Sequence, residues 1–196
     1  LPFLSKSGDS GVGLGYNTSV TGFANVGYRD IDGTWKAMSS GVTGGAVNAI
    51  LPAPDGSVYV GGAFTSASGV ANTANIAKYN PATNTFSSLG VLNGQALAMV
   101  MGADGALYVG GSFTTAGGVT VNRIAKWDGT AWSALGSGMA GTSPLVSSLV
   151  FGPDGTLYAG GIFTTAGGVS ANNIAKWNGS AWSALGSGIT SIASKI

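Results

Sequence analysis

The chain has 196 residues, 44% of them hydrophobic and only 8% charged, and eight Lys and Arg against seven acids leave a formal net charge of +1. It contains no His, no Cys and no Glu, so it lacks the usual ligands of zinc, copper and iron, the thiol nucleophile and the imidazole base of serine-type hydrolysis. The cations are scattered singly from Lys6 to Lys195, which leaves no basic patch for nucleic acid, and no stretch nears the ~18 consecutive apolar residues of a membrane helix.

In chain order, Leu1-Pro2-Phe3-Leu4 is too short for a signal peptide and lacks its charged region, and the first residue is not Met. The chain therefore reads as processed, or as part of a longer polypeptide. Without Cys there is no disulfide from which to read a redox compartment.

Residues 1–46 read as a worn copy of a pattern that follows three more times. Its clear copies run Pro54-Asp55-Gly56-Ser57-Val58-Tyr59-Val60-Gly61-Gly62-Ala63-Phe64-Thr65, Ala103-Asp104-Gly105 to Gly110-Gly111-Ser112-Phe113-Thr114, and Pro153-Asp154-Gly155 to Gly160-Gly161-Ile162-Phe163-Thr164. The aspartates stand 49 and 50 residues apart. Each copy continues into Ile76-Ala77-Lys78-Tyr79, Ile124-Ala125-Lys126-Trp127 or Ile174-Ala175-Lys176-Trp177. Each ends on an aromatic and Leu-Gly: Phe86 with Leu89-Gly90, Trp132 with Leu135-Gly136, Trp182 with Leu185-Gly186. The units are thus 47–95, 96–145 and 146–196, the last including the start of a further strand. Laid without gaps on the second copy, the worn one places Val12 on Tyr108 and Ile31 on Trp127, hence Asp30 on Lys126.

Four short strands are predicted per unit. The first is apolar: Val47–Leu51, Leu97–Met101, Val146–Phe151. An Asp-Gly turn, tolerant of positive φ, leads into the second, such as Leu107–Val109, which is expected to stop at Gly110-Gly111 with a bulge or a close backbone approach. A polar loop such as 115–118 precedes the third, Arg123–Trp127. A second turn, Asp128-Gly129 or Asn178-Gly179, leads to the fourth, Trp132–Leu135; the first unit has the longer Asn80-Pro81-Ala82-Thr83-Asn84 there. No helix is predicted, because Gly and β-branched residues oppose one. Four antiparallel strands in 40–50 residues mark a β-propeller blade. The fold class is therefore all-β, about four blades of ~49 residues, with closure open between a small four-bladed ring and an incomplete ring completed by further chain or by oligomerisation.

The string Leu-Tyr-Val-Gly-Gly-x-Phe-Thr-Thr-Ala-Gly-Gly-Val, with Ile-Ala-Lys-Trp and Trp-Ser-Ala-Leu-Gly-Ser-Gly after it, resembles propeller-like repeats of bacteriophage tail and fibre proteins and bacterial surface proteins, and distantly kelch blades. The resemblance covers Val47 to Ile189. It implies a structural or adhesive, non-catalytic module in a virion or at a cell surface, with other assembly subunits as partners; an open array and the sparse charge point to a homo-oligomer. The stretch from Gly13 to Tyr28 is also a little similar to head repeats of trimeric adhesins.

The candidate site is aromatic. Trp127, Trp132, Trp177 and Trp182, with Tyr79 and Phe86 in the first unit, flank the last hairpin of each repeat. An indole face can stack on a pyranose, which makes a lectin with one site per blade the alternative function and a host-surface glycan its partner. Cross-strand packing explains the same recurrence and is the weightier reading. The turn aspartates Asp55, Asp104 and Asp154 offer one carboxylate per repeat, where calcium wants about six to eight oxygens, so they read as turn residues. Lys78, Lys126 and Lys176 read as solvated or paired with those aspartates. The Gly-Gly pairs have no helix after them and do not form a phosphate loop. Asn17-Thr18-Ser19 and Asn178-Gly179-Ser180 match the glycosylation sequon. With no Glu, and with Asp recurring only in turns, a carboxylate glycosidase is disfavoured. No metal, no cofactor and no enzymatic activity are expected.

Overall fold

The computed structural model describes residues 35–190 together with the strands Val12–Gly13 and Gly27–Arg29. Among them there is no helix, and three four-stranded antiparallel sheets, one per clear repeat, hold most of the strand residues. The chain divides into two units, Leu1–Val91 and Leu92–Ile196. The adhesin-like stretch before Gly27, apart from Gly13, lies outside the described residues. So do Asn17-Thr18-Ser19 and the tail 191–196.

In the first unit the strands Val47–Pro52, Val58–Gly62, Ile76–Asn80 and Thr85–Ser87 pair in chain order. Their core holds Val58, Val60, Ala77, Tyr79 and Phe86, joined by Met38 and Val42. A smaller sheet pairs Val12–Gly13 with Gly27–Arg29 and the latter with Trp35–Ala37. Its register sets Val12 opposite Tyr28 and Arg29 opposite Trp35. Val12 thus does occupy the position of Tyr108, but Arg29 rather than Ile31 takes that of Trp127, and Tyr28 rather than Asp30 that of Lys126. The gapless overlay slips by two residues because the worn copy has a shorter link between these strands and a longer turn after them.

The second unit holds two blades. Ala96–Met101, Leu107–Gly111, Ile124–Trp127 and Trp132–Ala134 form one; Leu145–Phe151, Leu157–Ile162, Ile174–Trp177 and Trp182–Ala184 form the other. Each first hairpin closes as the Asp-Gly dipeptide requires: Gly56, Gly105 and Gly155 sit at φ 79°, 74° and 79°, left-handed backbone that a side chain resists.

The second strand takes in the Gly-Gly pair, ending on Gly62 and Gly111 in the first two blades and one residue later, at Ile162, in the third. The second glycine approaches a main-chain carbonyl, that of Ala46, Gln95 or Leu145, too closely for a Cβ to fit. The first strand bulges opposite, between Val47 and Ala49, Ala96 and Ala98, or Val146 and Ser148. Glycine here removes a steric obstacle while staying in the ladder. The loop that follows is itself a hairpin, Thr115–Ala116 with Val119–Thr120 and Thr165–Ala166 with Val169–Ser170. Gly117 and Gly118 (φ 54° and 86°) supply the positive φ values that a two-residue turn of this hand needs. Beneath it Phe64, Phe113 and Phe163 of the Gly-Gly-x-Phe motif are almost wholly buried.

Alternation gives each blade two faces. Leu107, Val109, Ala125, Trp127 and Trp132 share one; Tyr108, Gly110, Ile124 and Lys126 share the other. In the second unit the tryptophan face of the third blade (Leu157, Ala159, Ala175, Trp182) lies on the tyrosine face of the second (Tyr108, Ile124), in one continuous core. Val146 fills the space left by Gly110, and the Phe151 ring meets Tyr108 edge-on at 5.1 Å.

Candidate functional site

The candidate tryptophans sit on the last two strands, which the Asp128 and Asn178 turns join. Asp128 Oδ1 accepts hydrogen bonds from the Thr130 and Ala131 amides, both at 2.8 Å. Asn178 Oδ1 accepts from Ser180 and Ala181 at 3.0 and 2.9 Å, so the side chain of this sequon asparagine is engaged in its own turn. The turns bring Trp127 directly opposite Trp132 and Trp177 opposite Trp182, with ring centroids 5.3 and 5.4 Å apart and planes tilted by 50° and 48°. Tyr79 and Phe86 repeat the pair at 5.1 Å. These are cross-strand aromatic pairs in attractive tilted geometry.

The four indoles differ in what they offer a ligand. Trp132 and Trp182 are 6% and 5% exposed, and the Trp182 Nε1–H donates to the Leu135 carbonyl of the preceding blade at 2.7 Å. A ring so enclosed presents no face to a sugar. Trp127 and Trp177 are half-buried and keep part of their surface. Position in the sequence does not distinguish the two members of a pair; only the stacking of blades does.

On the opposite face, at the same end of the blade, lies a second recurrent cluster. Lys78 Nζ donates to Asp55 Oδ2 at 2.8 Å and stands 5.5 Å from the centre of the Tyr59 ring. Lys126 repeats this with Asp104 at 2.7 Å and Tyr108 at 5.6 Å, and the Tyr108 hydroxyl also donates to Asp104 Oδ2 at 3.1 Å. Register explains the cluster: Tyr59 pairs with Lys78 and Tyr108 with Lys126 across the central strands, and the turn aspartate curls over them. The third blade has the same residues, but no ion pair joins Asp154 to Lys176; Asp154 is held by the Thr156 amide and hydroxyl at 3.1 and 2.9 Å.

These contacts govern titration. The Lys78 ammonium, with the Ser57 hydroxyl and amide, holds Asp55 far below the usual carboxylate range, and Asp55 in turn raises Lys78. At Asp104 burial pushes the carboxyl up, but Lys126, the Ala106 amide and the Tyr108 hydroxyl together bring it below its ordinary value. Turn amides lower Asp128 and Asp154. A depressed carboxylate adds stability above its unfolded pKa of ~3.9 and loses it as pH falls through the folded value. With no His, Cys or Glu in the chain, no side chain has an ordinary pKa between about pH 5 and 8. The urea midpoint is therefore expected to stay level across that window and to fall below about pH 4; a slope between pH 6 and 7 would contradict this assignment.

Two open clefts border these elements. One of about 420 Å³ is lined by Asp55, Gly56, Ser57, Lys78, Asn80 and Pro81. One of about 300 Å³, at the other end of the third blade, is lined by Thr142, Phe163, Thr164, Asn172 and Asn173 among others. Neither brings two carboxylates together. Among the described residues there is no group of three or more Asp side chains placed to hold a metal ion.

A residue that sequence reasoning passed over is Arg123, taken only as the start of a strand. It sits at φ 75°, where the other repeats have Asn75 and Asn173 at 66°, and its guanidinium donates to Pro144 O at 2.8 Å and Phe113 O at 3.3 Å. The asparagines at matching positions were the available signal, since Asn tolerates left-handed backbone.

Blades of four antiparallel strands, stacked face to face in the second unit and repeated from one motif, make this a β-propeller protein. The sequence profile of the Rax2 C-terminal beta propeller domain matches residues 28–196, and the chain belongs to that family. No curated protein matches it. Among solved structures it is similar to the extracellular domain of the one-component system BT4673 of B. thetaiotaomicron, with 11% identity, TM-score 0.53, and coverage of 82% of this chain and 20% of that one. It is also similar to PorZ, a bacterial surface component of the type-IX secretion system of Porphyromonas gingivalis, with 10% identity, TM-score 0.50, and coverage of 79% and 23%. The chain thus spans about a fifth of the length of these two solved chains.

Proposed function

We propose that the chain is a non-catalytic propeller module displayed outside the cell, contributing shape and contact surface to a larger surface assembly. The observation that carries this reading is that the recurrent polar side chains are engaged within the blades themselves. Asp55 and Asp104 are closed onto Lys78 and Lys126, Asp128 and Asp154 onto their turns, so among the described residues no acid stands ready beside a base. The absence of His, Cys and Glu from the sequence supports it independently. Extracellular and surface placement is taken from the similar solved chains, an extracellular domain and a surface component. A bacteriophage tail, fibre or decoration protein is the narrower version of the same role, supported by the repeat motif alone.

The test is labelling of intact producing cells with a membrane-impermeant amine reagent, read at the exposed Lys176. Modification without lysis is expected; modification only after lysis would remove the proposal. Recovery in purified particles instead of the cell-surface fraction would support the virion version. The lectin alternative rests on the half-buried Trp127 and Trp177. It requires glycan-array binding that Trp127→Ala/Trp177→Ala abolishes while the fold is retained.

A further inference from the structure

We propose that Asn178 is a site of spontaneous modification, its side-chain amide converting to a carboxylate through a cyclic imide closed by the Gly179 nitrogen. The chain has two Asn-Gly dipeptides, Asn93-Gly94 and Asn178-Gly179. A glycine in second place has no Cβ to keep its main-chain nitrogen from the asparagine side chain. The structure separates the two sites. Asn178 and Gly179 are exposed at the tip of the last hairpin of the third blade. Asp128 and Gly129, at the matching tip of the second blade, are exposed as well, although the third blade packs on the second. The exposure therefore belongs to the turn and not to the blade's place in the array.

At Asn178 the reacting carbonyl is polarised and the leaving group is free. Its Oδ1 accepts from the Ser180 amide and hydroxyl, both at 3.0 Å, and from the Ala181 amide at 2.9 Å. Three donors thus meet the oxygen on which negative charge develops when Cγ is attacked. Asn178 Nδ2 and the Gly179 N–H have no hydrogen-bond partner among the described residues. Asn93 is tied down instead. Its Oδ1 accepts from the Thr114 and Thr115 amides at 2.7 and 2.9 Å, and its Nδ2 donates to Thr114 Oγ1 at 2.7 Å. Gly94 lies against the Phe113 main chain, where a Cβ would come within 2.9 Å, whereas a Cβ at Gly179 would meet nothing within 4 Å. Closing the ring at Asn93 breaks contacts between two segments; at Asn178 it disturbs one turn.

In the reaction the Gly179 nitrogen gives its proton to solvent base and bonds to Asn178 Cγ. The Cγ–Nδ2 bond breaks, and Nδ2 leaves as ammonia with a proton from water. A water molecule then opens the imide, at Cγ to aspartate or at the main-chain carbon to isoaspartate. One water enters, one ammonia leaves, and the formal net charge falls from +1 to zero. The second blade shows that the aspartate product fits. Asp128 occupies the same turn with three donors on its Oδ1, each at 2.8 Å, and the turn amides hold its carboxyl below its ordinary value.

Peptide mapping by mass spectrometry tests this on the full chain in mildly alkaline buffer, folded and in urea. The quantity read is each site's conversion rate when folded divided by its rate in urea, so that neighbouring sequence cancels. That ratio is expected to be at least about tenfold higher for Asn178 than for Asn93, a barrier difference of about 1.4 kcal/mol. Equal ratios, or a lower one at Asn178, overturn the proposal. Asn178→Asp should unfold at the wild-type urea midpoint or above it; a lower midpoint would show that the turn rejects the product, and overturns the proposal as well.

Discussion

Replacing Trp182 by alanine is expected to lower the stability of the Leu92–Ile196 unit by about 3–5 kcal/mol, the range for deleting a buried aromatic side chain. Three contacts are lost together. The ring is 5% exposed and packed in the core shared by the second and third blades. It pairs with Trp177 across the last hairpin at 5.4 Å. Its Nε1–H satisfies the Leu135 carbonyl at 2.7 Å in a buried setting, where an unpaired polar group costs about 1–3 kcal/mol. Native domains have only about 5–15 kcal/mol in hand, so the urea midpoint should drop by ~2 M at a slope of ~2 kcal/mol/M. Trp182→Phe keeps much of the packing and loses the hydrogen bond, and should fall near the lower end. Trp177→Ala, at a half-buried ring, should cost distinctly less than Trp182→Ala. Equal losses at the two positions would contradict the asymmetry on which the packing account rests.

Gly111→Ala is expected to be the most damaging single-methyl change. The added Cβ would fall onto the Gln95 carbonyl, with the Phe113 ring edge 2.9 Å away, and that oxygen, just before the first strand, is held by the Ser112 amide at 3.0 Å. The bulge between Ala96 and Ala98 would have to shift, which breaks the register of the first two strands. Gly105→Ala makes the opposite case. Its backbone is left-handed at φ 74° but nothing lies within 4 Å of the new methyl group, so the cost is conformational, about 1–2 kcal/mol. Thermal unfolding of the two variants separates steric obstruction from backbone strain. A Gly111→Ala protein as stable as Gly105→Ala would remove the close-approach explanation for the Gly-Gly pair.

Much of the fold is written locally. Asp-Gly and Asn-Gly place the hairpins, and alternation in Leu107-Tyr108-Val109 or Ile124-Ala125-Lys126-Trp127 places the strands, because turn chemistry and the period of two act within a few residues. The Asp–Lys pairing was expected as one reading of the recurrent residues and forms in the first two blades. What local reasoning misses depends on neighbours. That the strand takes in Gly110 and Gly111 before it ends goes with a bulge on the opposing strand, and the hairpin around Gly117-Gly118 with two positive φ values that a loop reading does not require. The worn copy slips by two residues because its motif residues no longer fix the alignment. The candidate site is legible as a set of aromatics and opaque as a site: Trp127 and Trp132 look alike in sequence, and only the stacking of one blade on the next decides which is enclosed.

That stacking is the central claim, and exchange of the tryptophan indole N–H groups with deuterated solvent, followed by nuclear magnetic resonance, tests it most directly. The Trp182 indole proton, bonded to Leu135 of the preceding blade, is predicted to exchange only through opening of the unit, and so to persist long after that of the half-buried Trp177. Loss of both signals at the same rapid rate would show that the third blade does not rest on the second.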